Sequence, residues 1–272
     1  MFKIEKFIII LRVKQRDNIL ERKRVMRNIK LKIEYDGTDF CGWQRQKKGR
    51  TIQQTLEVAI EKLTGEEGIE VFGSSRTDSG VHAKGYIGNF HTSSKIPSER
   101  FKEAINTKLP PDIVVIESEE VEENFHSRYM STGKTYCYTI LNRREAPVIG
   151  RNYMYHYVSD LDLDAMEDAC KHFVGKHDFE AFKSQGSSVQ TSVRTVTDLH
   201  IETEGDLIKI YISADGFLYN MVRIIAGTLL RVGAGKIKPC EIPEIILSKD
   251  RNRAGKCAPA RGLCLEKVFF EK

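Results

Sequence analysis

The sequence has no apolar run long enough to cross a membrane. Its early apolar stretch, Phe7 to Leu11, is short and runs into charged residues, whereas a spanning helix needs about 20 apolar residues and a signal-peptide core about 7–15. A cytoplasmic protein is therefore expected. A C-x-x-C pair is also missing. The six cysteines, Cys41, Cys137, Cys170, Cys240, Cys257 and Cys264, have neither the spacing of a zinc site nor that of a disulfide framework, so reduced and mostly buried thiols are the expectation. Nor is there a charge excess over most of the chain. The formal net charge is +5, yet residues 1–26 hold eight of the 43 basic residues and only three of the 38 acidic ones. The remainder is neutral, so overall charge does not argue for a nucleic-acid partner. A basic face would have to come from how the fold distributes charge.

What is present is a chain of 272 residues with 40% hydrophobic content, enough for a sizeable core in one large domain or two smaller ones. Residues 1–26 read as a basic extension, either an upstream mis-start or a terminal arm. The domain proper starts near Arg27 with a strand, apolar at every second position from Ile29 to Tyr35. Thr51 followed by Gln54 predicts a capping box opening a helix with Ile52, Leu56, Ala59, Ile60 and Leu63 inward, stopped at Gly65. A strand is expected around Ile69 to Phe72 and another from Val81 to His91. A helix beginning at Ser98, with Phe101, Ala104 and Ile105 inward, ends before Pro110 and Pro111. Further on, the patterns predict a strand from Thr135 to Leu141 and a helix capped by Asp162 and ended by Gly175. A hairpin pairs Val196–Thr203 with Leu207–Ser213, helices cover 216–227 and 242–247, and a closing strand runs from Leu263 to Phe270. These elements describe an α+β protein in two similar halves, residues 27–130 and 131–272, meeting at a cleft.

Residues 74–83 read SSRTDSGVHA, placing Arg76 and Asp78 in a turn between two expected strands, where chemistry is commonly displayed. For an arbitrary R-x-D, the commonplace reading is an Asx turn beside a solvated arginine. The stretch nevertheless resembles the G-R-T-D-x-G-V-H-A signature of the TruA family of pseudouridine synthases, with Ser75 in place of the usual glycine. Four more segments resemble the same family in the same order: YDGTDFCGWQRQ at 35–46, NFHSR at 124–128 with GKTYCY at 133–138, GFLYNMVR at 216–223 with Gly227, and APARGL at 258–263. Five collinear matches spanning Arg27 to Phe270 make a strong signal.

The resemblance implies the pseudouridine-synthase fold, α+β, with two ferredoxin-like halves of mostly antiparallel mixed sheet flanked by helices and the active site in the cleft between them. It implies an isomerase that converts uridine to pseudouridine in the anticodon arm of tRNA, without cofactor or metal, as a homodimer. Asp78 takes the catalytic role, attacking the sugar or the base or removing a sugar proton. Tyr136 matches the family's active-site tyrosine and would stack on the uracil of a nucleotide flipped out of its stem. Arg76 and Arg223 are the candidate substrate-binding cations: either could hold the carboxylate charged, Arg76 could also enter the space left by the flipped base, and Arg223 on its helix could pair with Asp78 or with a phosphate. Cys137 and Tyr86 replace residues more common in the family. His82 and His126 are expected to be structural, because the chemistry needs no imidazole. Trp43, the sole tryptophan, either covers the cleft or packs in its loop.

Other chemistries fail on their motifs. The segment Glu34-Tyr35-Asp36-Gly37-Thr38 is like the D-x-D-G-T of haloacid-dehalogenase-like phosphatases, but Glu34 stands where the nucleophile is needed. Residues 233–236, GAGK, lack the first glycine and the trailing hydroxyl of a phosphate loop, with Leu230 and Ile237 in those places. A non-catalytic RNA-binding or chaperone module on the same fold is the remaining competitor, and it would not need Asp78 and Tyr136.

Overall fold

A computed structural model describes residues 26–186 and 190–271; the basic stretch over residues 1–25 lies outside the described residues. Ten strands form one sheet, in the order β4-β1-β3-β10-β5-β9-β8-β7, with β2 beside β3 and β6 beside β5. In chain order these are β1 (Arg27–Tyr35), β2 (Phe72–Gly73), β3 (His82–Thr92), β4 (Ile113–Val121), β5 (Ser131–Asn142), β6 (Tyr155–Tyr157), β7 (Gly175–Asp178), β8 (Val193–Glu204), β9 (Leu207–Ala214) and β10 (Leu263–Phe270). The pairings are antiparallel except β3 with β10 and β5 with β6. The helices are α1 (Ile52–Thr64), α2 (Phe101–Asn106), α3 (Leu163–Lys171), α4 (Met221–Gly233) and α5 (Ile242–Ser248). Among the described residues, no helix is long and apolar enough to cross a membrane.

Alternation builds the central strands. In β1, Ile29, Leu31, Ile33 and Tyr35 are buried, as a strand with one face on a core requires. The last strand in sequence, β10, lies at the middle of the sheet. It pairs with β5 from Leu263 to Phe270, and with β3 through Cys264 opposite His82 and Leu265 opposite Ala83. It thereby joins the strand after the Asp78 loop to the strand carrying Tyr136, one strand apart in the sheet. Helix α4 is buried nearly all round. Its Gly227 meets the chain before β10, where an added Cβ would stand 1.8 Å from the carbonyl oxygen of Lys256.

Several expectations are corrected. Helix α1 starts at Ile52 and ends on Gly65 at φ 72°, but Thr51 makes no capping hydrogen bond. Its buried hydroxyl has no hydrogen-bond partner among the described residues, so there is no capping box. The stretch 69–72 is buried at Ile69 and Val71 but yields only the two-residue β2. Side chains of α1 take its backbone groups instead: Glu57 Oε1 accepts from Val71 N at 3.2 Å and Gln53 Nε2 donates to Val71 O at 3.2 Å. Helix α3 ends at Lys171, and Gly175, at φ 115°, opens β7 rather than closing the helix. Helix α4 begins only at Met221, because Asn220 sits at φ 62°, leaving 216–220 as loop. Strand β4 has no expectation behind it. Its outer half is acidic and pairs by charge with β1, Glu117 with Lys32, Glu119 with Lys30 and Glu120 with Arg27, each at 2.7 Å.

Candidate active site

The loop between β2 and β3, residues 74–81, is held from below by the loop of residues 36–50. Trp43 N donates to Thr77 O at 3.1 Å, Gly80 N to Phe40 O at 3.3 Å, and Ser79 Oγ to Phe40 O at 3.0 Å. The hydroxyls of Tyr35 and Thr77 meet at 2.8 Å. Gly42, at φ 88°, lies so close that a Cβ there would stand 2.6 Å from Thr77 O. Only glycine accepts both that conformation and that approach. The first two sequence motifs are thus one unit, a displayed loop and its cradle. Tyr86 supports the same loop from β3 by donating its hydroxyl to Ser75 O. Trp43 is 2% exposed and stacks on Tyr86, with ring centroids 4.0 Å apart, so it packs beneath the loop rather than covering a cleft.

Above this loop is a cavity of about 510 Å³ lined by Asp78, Arg76, Tyr136 and Arg223 among others. Arg223 Nη1 stands 3.3 Å from Asp78 Oδ2, the two side chains being 17% and 24% exposed. The guanidinium is aimed by two further acceptors: Nε donates to Ala258 O at 2.7 Å and Nη1 to Asn220 Oδ1 at 2.7 Å. Ala258 N returns a bond to Arg223 O at 3.0 Å, so the segments at 216–223 and 258–263 are also one unit. Burial raises the Asp78 carboxyl above its ordinary range, and the Arg223 charge and hydrogen bond oppose that rise without cancelling it.

Tyr136 is 5% exposed, its hydroxyl 3.3 Å from Ser75 Oγ and its ring edge-on to Phe217 at 5.2 Å. Burial, with a smaller contribution from the Asp78 charge, outweighs the Ser75 hydrogen bond and pushes its phenol up to about 12. It therefore stays protonated at neutral pH. Arg76 is exposed at the cavity wall and makes no hydrogen bond or ion pair among the described residues. His82 and His126 lie off the cavity lining. His82 Nδ1 accepts from Gly37 N at 3.1 Å, and His126 packs on Phe72 and Tyr129. Among the described residues, no group of three His, Cys, Asp or Glu is placed to hold a metal ion.

The cavity also holds residues that sequence reasoning passed over: Arg128, Lys134, Arg194, Phe217 and Leu263. Arg128, Lys134, Phe217 and Leu263 fall inside the matched segments, and Lys134 is two residues from Tyr136 on β5, hence on the same face. Alternation could have found it. Arg194 carries no such signal.

A family model described as tRNA pseudouridine synthase matches residues 32–130 and 169–271. The tRNA pseudouridine synthase A 2 of Clostridium perfringens is 66% identical over 245 residues, 90% of this chain and all of that protein. The tRNA pseudouridine synthase A of Clostridium botulinum is 58% identical over the same shares, and that of Acetivibrio thermocellus 53%. A solved Cbf5-Nop10-Gar1 complex overlaps 88% of this chain and 59% of its own at 13% identity and a TM-score of 0.39.

Proposed function

The chain belongs to the tRNA pseudouridine synthase family, and from that premise we propose that Asp78 performs its chemistry, with Tyr136, Arg76 and Arg223 holding the substrate. The enzyme is an isomerase that converts uridine in tRNA to pseudouridine. The bond from uracil N1 to the ribose breaks, the base turns, and carbon five takes the ribose while its hydrogen leaves to solvent and N1 gains a proton. Atoms balance, so the reaction consumes no second substrate.

One observation carries the assignment of Asp78. It is the carboxylate that shares a cavity with a buried aromatic ring and is paired to a guanidinium held by two other acceptors. A carboxylate raised by burial and held near its charged form by Arg223 has the reactivity that attack on the sugar or base, or removal of a sugar proton, requires. Tyr136 offers its ring to the uracil and, being protonated, does not repel a flipped nucleotide. Arg76, exposed at the rim and without an ion pair among the described residues, would enter the stem where the base was. The anticodon arm as the target and two copies of the chain acting on one tRNA belong to the same proposal by resemblance, and a cytoplasmic setting and the division at residues 130 and 131 belong to it as read from the sequence pattern.

The test is release of label from tRNA carrying tritium at uracil carbon five. Wild type releases it and Asp78→Asn does not, while both bind the tRNA. Binding without release by both proteins would favour the non-catalytic module.

A further inference from the structure

Five basic side chains line the cavity, Arg76, Arg128, Lys134, Arg194 and Arg223, against two carboxylates, Asp78 and Asp215. Arg223 is committed to Asp78, and Arg194 to the carbonyl oxygens of Thr191 and Val193. Lys134 is different. It is 8% exposed, and its ammonium has one hydrogen bond among the described residues, to Ser131 Oγ at 3.0 Å. No carboxylate there is within ion-pair distance of it. A buried ammonium ordinarily sits against an acid, because its lost hydration must be replaced. Burial first, and Arg128 second, push the Lys134 ammonium below the usual lysine range, with Asp215 opposing.

The surroundings show what could replace the missing anion. Ser131 Oγ, which accepts from Lys134, donates to Arg128 O at 3.0 Å, tying the lysine to the turn that carries a second cation. The Arg128 guanidinium lies 5.9 Å from the Tyr129 ring centroid and has no hydrogen bond or ion pair among the described residues. Lys134 and Tyr136 face the same side of β5 about 7 Å apart, close to the reach from a nucleobase to its own phosphate. An ammonium with two protons uncommitted and a guanidinium fork together suit a phosphate diester.

We propose that Lys134 and Arg128 form an anion subsite in this cavity, which takes a phosphate flanking the uridine whose base lies against Tyr136. This rests on the reading of the cavity as the uridine site, and it assigns the subsite a positioning role: phosphate held here fixes where the ribose stands relative to Asp78.

The experiment uses the full chain and a fluorescent RNA stem-loop of the tRNA anticodon arm, synthesised with the native backbone or with a neutral methylphosphonate at either phosphate flanking the target uridine. Affinities are measured for wild type, Lys134→Met, which keeps the stem and drops the charge, and Arg128→Gln. Wild type is expected to lose about tenfold on one of the two neutral RNAs, the lower end for a charge-assisted hydrogen bond. Lys134→Met should lose a similar factor on native RNA and nothing further on that neutral RNA. Its plot of log affinity against log salt should be shallower by about 0.7–0.9. Losses that multiply on both neutral RNAs, or an unchanged salt slope, overturn the subsite. Circular dichroism checks folding, and if Lys134→Met does not fold, the same comparison is decided with Arg128→Gln on the exposed cation. Tritium release by wild type from the native stem-loop separates the two ideas. Coupling without release refutes the reaction and leaves the subsite standing, and release without coupling refutes the subsite alone.

Discussion

Replacing Arg223 by methionine removes the guanidinium from Asp78 while keeping most of the aliphatic stem that packs in α4. At 3.3 Å the contact is longer than the 2.7–2.9 Å usual for charge-assisted hydrogen bonds. The low end of their range, about 1.5 kcal/mol, is therefore the better measure of what it contributes. At about 1.4 kcal/mol per factor of ten, losing it changes the ratio of ionised to protonated Asp78 by roughly tenfold. The sign follows from the opposed causes: burial raises this carboxyl and Arg223 restrains the rise, so without Arg223 the rise is larger. Activity that needs the carboxylate then develops at higher pH. Tritium release measured as kcat/KM from pH 5 to 9 should show the variant furthest below wild type at the acid end, the deficit growing as pH falls towards a limit about tenfold beyond its alkaline value. Urea unfolding accompanies it, since Ala258 O and Asn220 Oδ1 lose their donor. A ratio of variant to wild type that is constant across the range would refute the pairing as a control on Asp78 ionisation, and so would a deficit that shrinks towards acid pH.

Tyr136→Ala should lower kcat/KM by roughly 5- to 150-fold, the measure of one base–aromatic stack at about 1–3 kcal/mol. Tyr136→Phe should stay within about fivefold of wild type, because the hydroxyl makes only the 3.3 Å contact to Ser75. Gly227→Ala forces a Cβ against the Lys256 carbonyl oxygen at 1.8 Å, and a lowered urea midpoint reporting about 3 kcal/mol or more is expected; a loss under about 1 kcal/mol would show that the contact yields. Thr51→Val should leave thermal stability unchanged or raise it by up to about 1 kcal/mol, because the hydroxyl it removes is buried and unpartnered. A loss of about 1 kcal/mol would restore the cap read from the sequence.

Elements whose period is local were legible. Strand β10 was read with its observed ends, and β1, the β8–β9 hairpin and α1 to within a few residues, because alternation, a helical face and a stopping glycine are all properties of neighbours in the chain. What failed needed a partner to be seen. Thr51 looked like a cap until its hydroxyl was found buried and unbonded. The 69–72 strand lost its ladder to Gln53 and Glu57. Strand β4 pairs its acidic half with lysines and an arginine on β1, partners that no pattern within IVVIESEEV displays.

The same division runs through the site. Asp78, Tyr136, Arg76 and Arg223 were named through the family resemblance of short motifs, which is written directly in the order of the amino acids. Which arginine meets Asp78 was not written there: Arg223 comes from 145 residues away to pair with it, whereas Arg76, two residues off, has no ion pair among the described residues. That selection depends on β10 lying between β3 and β5 and on Gly227 letting α4 approach the chain before it. Local order specifies which side chains are offered. Packing of distant segments settles which of them are buried together, and burial sets a carboxylate's charge.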